Sequence, residues 1–153
     1  MSAEAKLKEL GITLPEAPKP VASYVPFVQS GEYVYTSGQI CLEAGQLKYK
    51  GKVGADLTQE EAYQAARLCA INTLAVLKAA VGSLDNVEQI VKVVGFVNSA
   101  AGFTAQPAVI NGASELYQQV FGDQGRHARS AVGAAELPMN SPVEVEIIAR
   151  VKK

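Results

Sequence analysis

Arg129, Glu144 and Glu146 are the side chains whose types and positions best suit chemistry on a small anion. They lie in two neighbouring segments, His127-Ala-Arg-Ser-Ala-Val-Gly-Ala-Ala-Glu-Leu-Pro138 and Val143-Glu-Val-Glu-Ile-Ile-Ala149. A guanidinium fork matches a carboxylate with two parallel hydrogen bonds. A glutamate in a partly apolar cleft can keep a raised pKa and hand a proton to a substrate carbon, or manage a water. Strand alternation puts Glu144 and Glu146 on one face and leaves open which of them lines a pocket. Each candidate has an ordinary alternative: an interface ion pair for Arg129, a solvent-facing position for a glutamate on an edge strand. His127, the only histidine, reads as a structural hydrogen-bonder before a catalyst. Its other use would be to help hold an anion beside Arg126 and Arg129. One histidine and two distant cysteines, Cys41 and Cys69, supply no metal-ligand spacing, so no metal is expected. No phosphate-binding loop or dinucleotide fingerprint occurs either, and no cofactor is called for.

Such a site needs a rigid frame, and 153 residues suffice for one domain burying roughly 68–70% of its unfolded surface. Hydrophobic residues make up 48% and charged residues 19%, which excludes disorder as the default. A net charge of −1 and a pI near 5.9 carry no electrostatic footprint for nucleic acid. No stretch approaches the roughly 20 apolar residues of a membrane span, and nothing at the N-terminus reads as a signal peptide. Together with cysteines read as buried free thiols, this predicts a reduced, cytoplasmic setting without membrane or nucleic-acid partners.

Along the chain, residues 1–22 read as an accessory arm and 23–153 as the domain. In the arm Ala3 to Leu10 predicts a short helix closed by Gly11, after which Pro15, Pro18 and Pro20 forbid regular structure. Tyr24–Gln29 and Tyr33–Ser37 predict a hairpin turned at Ser30-Gly31, with Gln46–Lys50 as a possible third strand. Thr58-Gln-Glu-Glu61 is a capping-box pattern. Behind it Ala62, Ala65, Cys69, Leu74, Leu77 and Val81 recur at helical spacing until Gly82 stops the run. Ile90–Val97 is β-branched and continuous, as expected of a central strand covered on both sides. A second long helix begins at Pro107 and ends before Gly122. Arg129–Ala135 and Val143–Val151 are the last strands, around a turn containing Pro138, Asn140 and Pro142. The order β-β-(β)-α-β-α-β-β gives an α+β domain with its helices on one face of a mixed sheet. Too many strand residues are apolar for the other face to sit in water, so self-association is expected.

Thr36-Ser-Gly-Gln39, taken with the arginine and glutamate segments, resembles the Rid family (reactive intermediate deaminases, also called the YjgF family, historically labelled endoribonuclease L-PSP). The resemblance runs from about Tyr24 to Lys152. It implies a chorismate-mutase-like fold, with two helices packed on one face of the sheet, and a homotrimer holding ligand sites in the clefts between subunits. It also implies roles. Arg129, in Ala128-Arg129-Ser130, would clamp the carboxylate of a small substrate, and Glu144 would handle the proton or water. Tyr24 would form an aromatic wall, Ser37 a pocket hydroxyl, and Gly38 would let backbone approach the ligand. Ser37 has no nearby His or Asp in sequence and otherwise reads as a turn hydroxyl capping backbone. Three features depart from the family pattern. Ala131 stands where many family deaminases carry a cysteine. The pocket asparagine of the second helix falls on Asn111 by residue type and on Ser114 by spacing. The segment Ser99–Ile110 is longer than the family's usual loop.

These readings predict a cofactor-independent hydrolase converting small enamines or imines, such as 2-aminoacrylate, to 2-oxo acids and ammonia. The alternative is a non-catalytic module that binds carboxylated metabolites, which the loss of the cysteine favours. Ribonuclease activity ranks last, because the chain is acidic, has one histidine and lacks an aromatic-basic stripe.

Overall fold

The computed structural model describes residues 1–20 and 22–153; position 21, inside the predicted arm, lies outside the described residues. Eight strands form: β1 (Phe27–Ser30), β2 (Tyr33–Thr36), β3 (Gln39–Ile40), β4 (Leu42–Glu43), β5 (Gln46–Leu47), β6 (Val87–Asn98), β7 (Ala128–Ala134) and β8 (Val143–Val151). The helices are α1 (Ala3–Glu9), α2 (Gln59–Val81) and α3 (Gln106–Phe121). β8 is the spine. Its odd-numbered residues Val143, Val145, Ile147, Ala149 and Val151 are buried beneath the helices, and the residues between them are only half covered. The main sheet runs β1-β2-β8-β6-β7, with β3 also paired to β8. All these pairs are antiparallel except β6–β7, whose parallel crossover is α3. β7 is therefore an edge strand.

Local chemistry explains the boundaries. Thr58 Oγ1 accepts the Glu61 N–H at 3.1 Å and Glu61 Oε1 accepts the Thr58 N–H at 3.1 Å, closing the capping box of α2. Gly82, at φ 83°, ends it after 23 residues. Pro107 occupies the first turn of α3, where its missing N–H costs nothing. β1 starts at Phe27 rather than Tyr24, since Pro26 cannot donate to the ladder. Ser30 pairs with Tyr33, so the turn residues are Gly31 and Glu32, one position later than predicted.

Other predictions change. Gln46–Lys50 adds no strand to the main sheet; only Gln46–Leu47 is extended, in a separate hairpin with β4. β6 is central in pairing but covered by helix on one side only, so its apolar run serves two different surroundings. Three helices pack rather than two. α1, N-capped by Ser2, adds Ala3 and Leu7 to the core. The Glu4 carboxylate accepts from the Leu84 N–H at 3.0 Å and from Lys78 Nζ at 3.1 Å, tying α1 to the end of α2. Cys41 and Cys69 are buried and free, as expected. Among the described residues no helix is long and apolar enough to cross a membrane.

Candidate ligand site

Arg129 opens the edge strand β7, in register with Val93 of β6, which in turn pairs with Ile147 of β8. Val93 and Ile147 both face the helices, and Arg129 projects to that side as well, onto α3. Its Nη1 donates to Asn111 Oδ1 at 2.8 Å and to Ser114 Oγ at 3.1 Å. Asn111 and Ser114 are one helical turn apart, so the two positions left open by the sequence grip the same nitrogen. Arg129 is half-buried and forms no ion pair among the described residues. Neutral partners thus orient the guanidinium while Nε and Nη2 make no hydrogen bond among the described residues.

Behind this arginine stands His127. Its Nδ1 lies 2.6 Å from the Gly125 carbonyl, which can only accept, so Nδ1 carries the proton. Nε2 then accepts the Ser114 hydroxyl at 2.8 Å. Burial and, secondarily, the neighbouring Arg129 cation push His127 below its ordinary pKa, against the opposing Gly125 hydrogen bond. The Tyr117 ring meets the imidazole edge-on, 5.9 Å between centroids. Ala131, two residues beyond Arg129 on the same side, packs against the core and offers no polar group.

Glu144 belongs to the opposite face. It pairs in register with Phe96 and Ile40, and a Cβ on Gly38 would come within 2.8 Å of its Oε2. Only glycine at 38 lets the carboxylate lie flat on the backbone. Burial first, and then the Glu146 charge, raise the Glu144 pKa. A cavity of about 520 Å³ is lined by Glu144, Gly38, Tyr24, Lys19, Pro20 and Met139, and Glu146 is not in its wall. Ser37 sits beside this cavity with its hydroxyl engaged, donating to the Val25 carbonyl at 2.6 Å. Its backbone N–H holds the Pro26 carbonyl at 2.8 Å, so Ser37 pins the segment that carries Tyr24.

The predicted residues therefore fall into two groups: Arg129, Asn111 and Ser114 at the β7 edge, and Tyr24, Gly38 and Glu144 on the outer face. Within one chain Arg129 and Glu144 do not meet, because the register directs them to opposite faces of the sheet. The sequence did not reveal the His127–Ser114 link or the wall contributed by Lys19 and Met139. The one signal near it was the proline run, which reads in the sequence only as forbidding regular structure. No cluster of three or more potential metal ligands occurs among the described residues.

Residues 4–151 match the family described as "YjgF/chorismate mutase-like, putative endoribonuclease". This chain belongs to the YjgF family. Protein TCP17 of Trypanosoma cruzi is 46% identical to it over 145 residues, covering 94% of this chain and 91% of its own. A protein of Dermatophagoides farinae named 2-iminobutanoate/2-iminopropanoate deaminase is 36% identical over 137 residues, covering 90% of this chain and 92% of its own. Among solved structures, the protein Atu1372 of Agrobacterium tumefaciens, of unknown function, superposes with a TM-score of 0.92 at 48% identity. That match covers 98% of this chain and 92% of the other, so the architecture shared with that protein takes in nearly the whole chain.

Proposed function

We propose that this protein is a hydrolytic deaminase of small enamine and imine acids, working at clefts between the subunits of a homotrimer. The carrying observation is Arg129: a half-buried guanidinium, oriented by two neutral side chains and without a carboxylate partner among the described residues. An arginine so held is arranged to receive a carboxylate from outside the chain. The name of the mite relative gives the substrate class its support.

The chemistry asked of the site is modest. Arg129 holds the carboxylate of a 2-aminoacrylate-like enamine. Glu144, whose pKa is raised by burial and by the Glu146 charge, delivers a proton to the terminal carbon, and the double bond shifts to give the iminium. Water adds to the iminium carbon and returns its proton to Glu144, and the resulting carbinolamine expels ammonia as the 2-oxo acid forms. Positioning supplies much of the rate gain, so a sparse site suffices. Since Arg129 and Glu144 occupy opposite faces of one sheet, a cleft containing both takes them from different subunits. Exposed apolar residues on the outer face support that assembly: Val28 is 54%, Tyr35 45% and Val132 45% exposed.

The test is ammonia release from 2-aminoacrylate produced in situ by a serine dehydratase. Arg129→Ala should raise KM by roughly tenfold to a hundredfold, the loss of a charge-assisted hydrogen-bonded pair. An undiminished Arg129→Ala protein rejects the assignment. Ala131 favours a second reading, in which the cleft binds 2-oxo acids without turning them over. Calorimetric binding of 2-oxobutyrate by a protein that releases no ammonia would select it.

A further inference from the structure

The polar chain behind Arg129 is longer than carboxylate binding alone requires. Gly125 O, His127, Ser114 and Arg129 form one continuous line of hydrogen bonds at 2.6, 2.8 and 3.1 Å. Both ends of the His127–Ser114 segment are fixed. A Cβ on Gly125 would stand 2.2 Å from the Tyr117 carbonyl, so the turn carrying the Gly125 carbonyl lies directly on α3. Ser114 is itself buried on α3. With the Gly125 carbonyl claiming the Nδ1 proton, the neutral imidazole offers Nε2 only as an acceptor. It therefore draws the Ser114 proton to itself and turns a Ser114 lone pair toward Nη1 of Arg129.

We propose that His127 is a positioning residue for Arg129, acting through Ser114: the neutral imidazole fixes the guanidinium with its Nε–Nη2 edge outward, and protonation of the imidazole releases it. This rests on the reading of Arg129 as the carboxylate clamp. An imidazolium would present a proton at Nε2 where it now accepts one, forcing the Ser114 hydroxyl to rotate, and would place a second cation across Ser114 from Arg129. Nothing nearby compensates. The turn contributes a carbonyl, and α3 contributes Ser114 and the Tyr117 ring, whose buried hydroxyl stays neutral and lies 2.6 Å from Thr73 Oγ1. The charge on β7 is Arg129 itself. No carboxylate lies within ion-pair distance of His127 from these elements or from β6 among the described residues. The arrangement keeps the imidazole neutral at neutral pH and makes the clamp sensitive to acid.

A chain with one histidine permits a direct test, since a single imidazole titrates in its NMR spectrum. In ¹⁵N-labelled protein taken from pH 7.5 to 5, the imidazole should show the Nδ1–H tautomer and a midpoint below the ordinary histidine value. The Arg129 Nε–H signal should move with that same midpoint. Calorimetric affinity for 2-oxobutyrate should weaken about five- to tenfold across the same range, the scale of one lost hydrogen bond. His127→Gln, which keeps an acceptor for Ser114 and cannot take up a proton, should hold its own pH 7.5 affinity down to pH 5 and abolish both transitions. An Arg129 signal indifferent to the imidazole titration overturns the inference. So does tighter binding at acid pH, the sign expected if the imidazolium merely added charge for an anion. An acid limb that survives in His127→Gln would belong to Glu144 and also overturn it. Should no 2-oxo acid bind at any pH, the functional reading fails by itself, and the coupling between the His127 and Arg129 signals still decides this inference.

Discussion

Arg129 is held by a fork geometry that lysine cannot reproduce, because an ammonium offers a point charge without the planar pair of donors. Arg129→Lys should therefore lose most of the carboxylate affinity of the wild type, with KM rising about tenfold in the ammonia-release assay while the fold is unchanged. A lysine variant with wild-type KM would reduce the arginine to a simple charge. Ser37 yields the opposite expectation. Its hydroxyl holds the Val25 carbonyl, so Ser37→Ala should cost stability of about 1 kcal/mol by chemical denaturation with kcat largely kept. Glu144 connects residue chemistry to pH. Its folded pKa lies above the unfolded value, so burying the carboxylate favours the native state only where it is protonated and disfavours it at neutral pH. Glu144→Gln should accordingly melt higher than wild type at pH 7, a gain that shrinks as pH falls into the carboxylate range. Loss of activity in that more stable protein would separate the function of the group from its structural effect.

At the level of elements, the site depends on how closely α3 approaches α2. A Cβ on Gly112 would meet the Tyr63 carbonyl at 2.1 Å, so this glycine sets the spacing between the two helices. It lies between Asn111 and Ser114, the residues that orient Arg129. Gly112→Ala should destabilise the protein by about 1–3 kcal/mol, the usual cost of overpacking, seen as a lower Tm. It should also weaken 2-oxo acid binding, because the whole turn must shift. A variant that loses stability but keeps wild-type affinity would show that the turn holds its place without that contact. Such close approach is invisible in the apolar periodicity of α3, which records that one face is buried and not how deeply.

The whole molecule raises the question of how Arg129 and Glu144 act together. Because they occupy opposite faces of one sheet, mixing Arg129→Ala protein with Glu144→Gln protein under conditions of subunit exchange should restore activity at a substrate concentration too low for either variant alone. Random assortment gives about a quarter of the sites both intact groups. Failure to recover activity, with exchange verified by light scattering or mass spectrometry, would refute a shared cleft. Tyr35→Lys on the outer face should favour monomers and abolish turnover with the fold of each chain retained.

The family, the α2 capping box, the existence of the last two strands and the shared face of Glu144 and Glu146 were all legible in the sequence. Capping, periodicity and Gly/Pro punctuation are relations between neighbours along the chain, and folding does not alter them. The short β3, the truncated Gln46–Leu47 strand and the docking of α1 were not legible, because each depends on a partner distant in sequence. The same holds within the site. A shift of one residue in strand register moves every side chain to the other face. The pairing of Val93 with both Arg129 and Ile147, and of Phe96 with Glu144, therefore decided that Arg129 and Glu144 lie on opposite sides. Residue types alone determined what chemistry was possible; strand order and register decided which groups one chain brings together and which it holds apart.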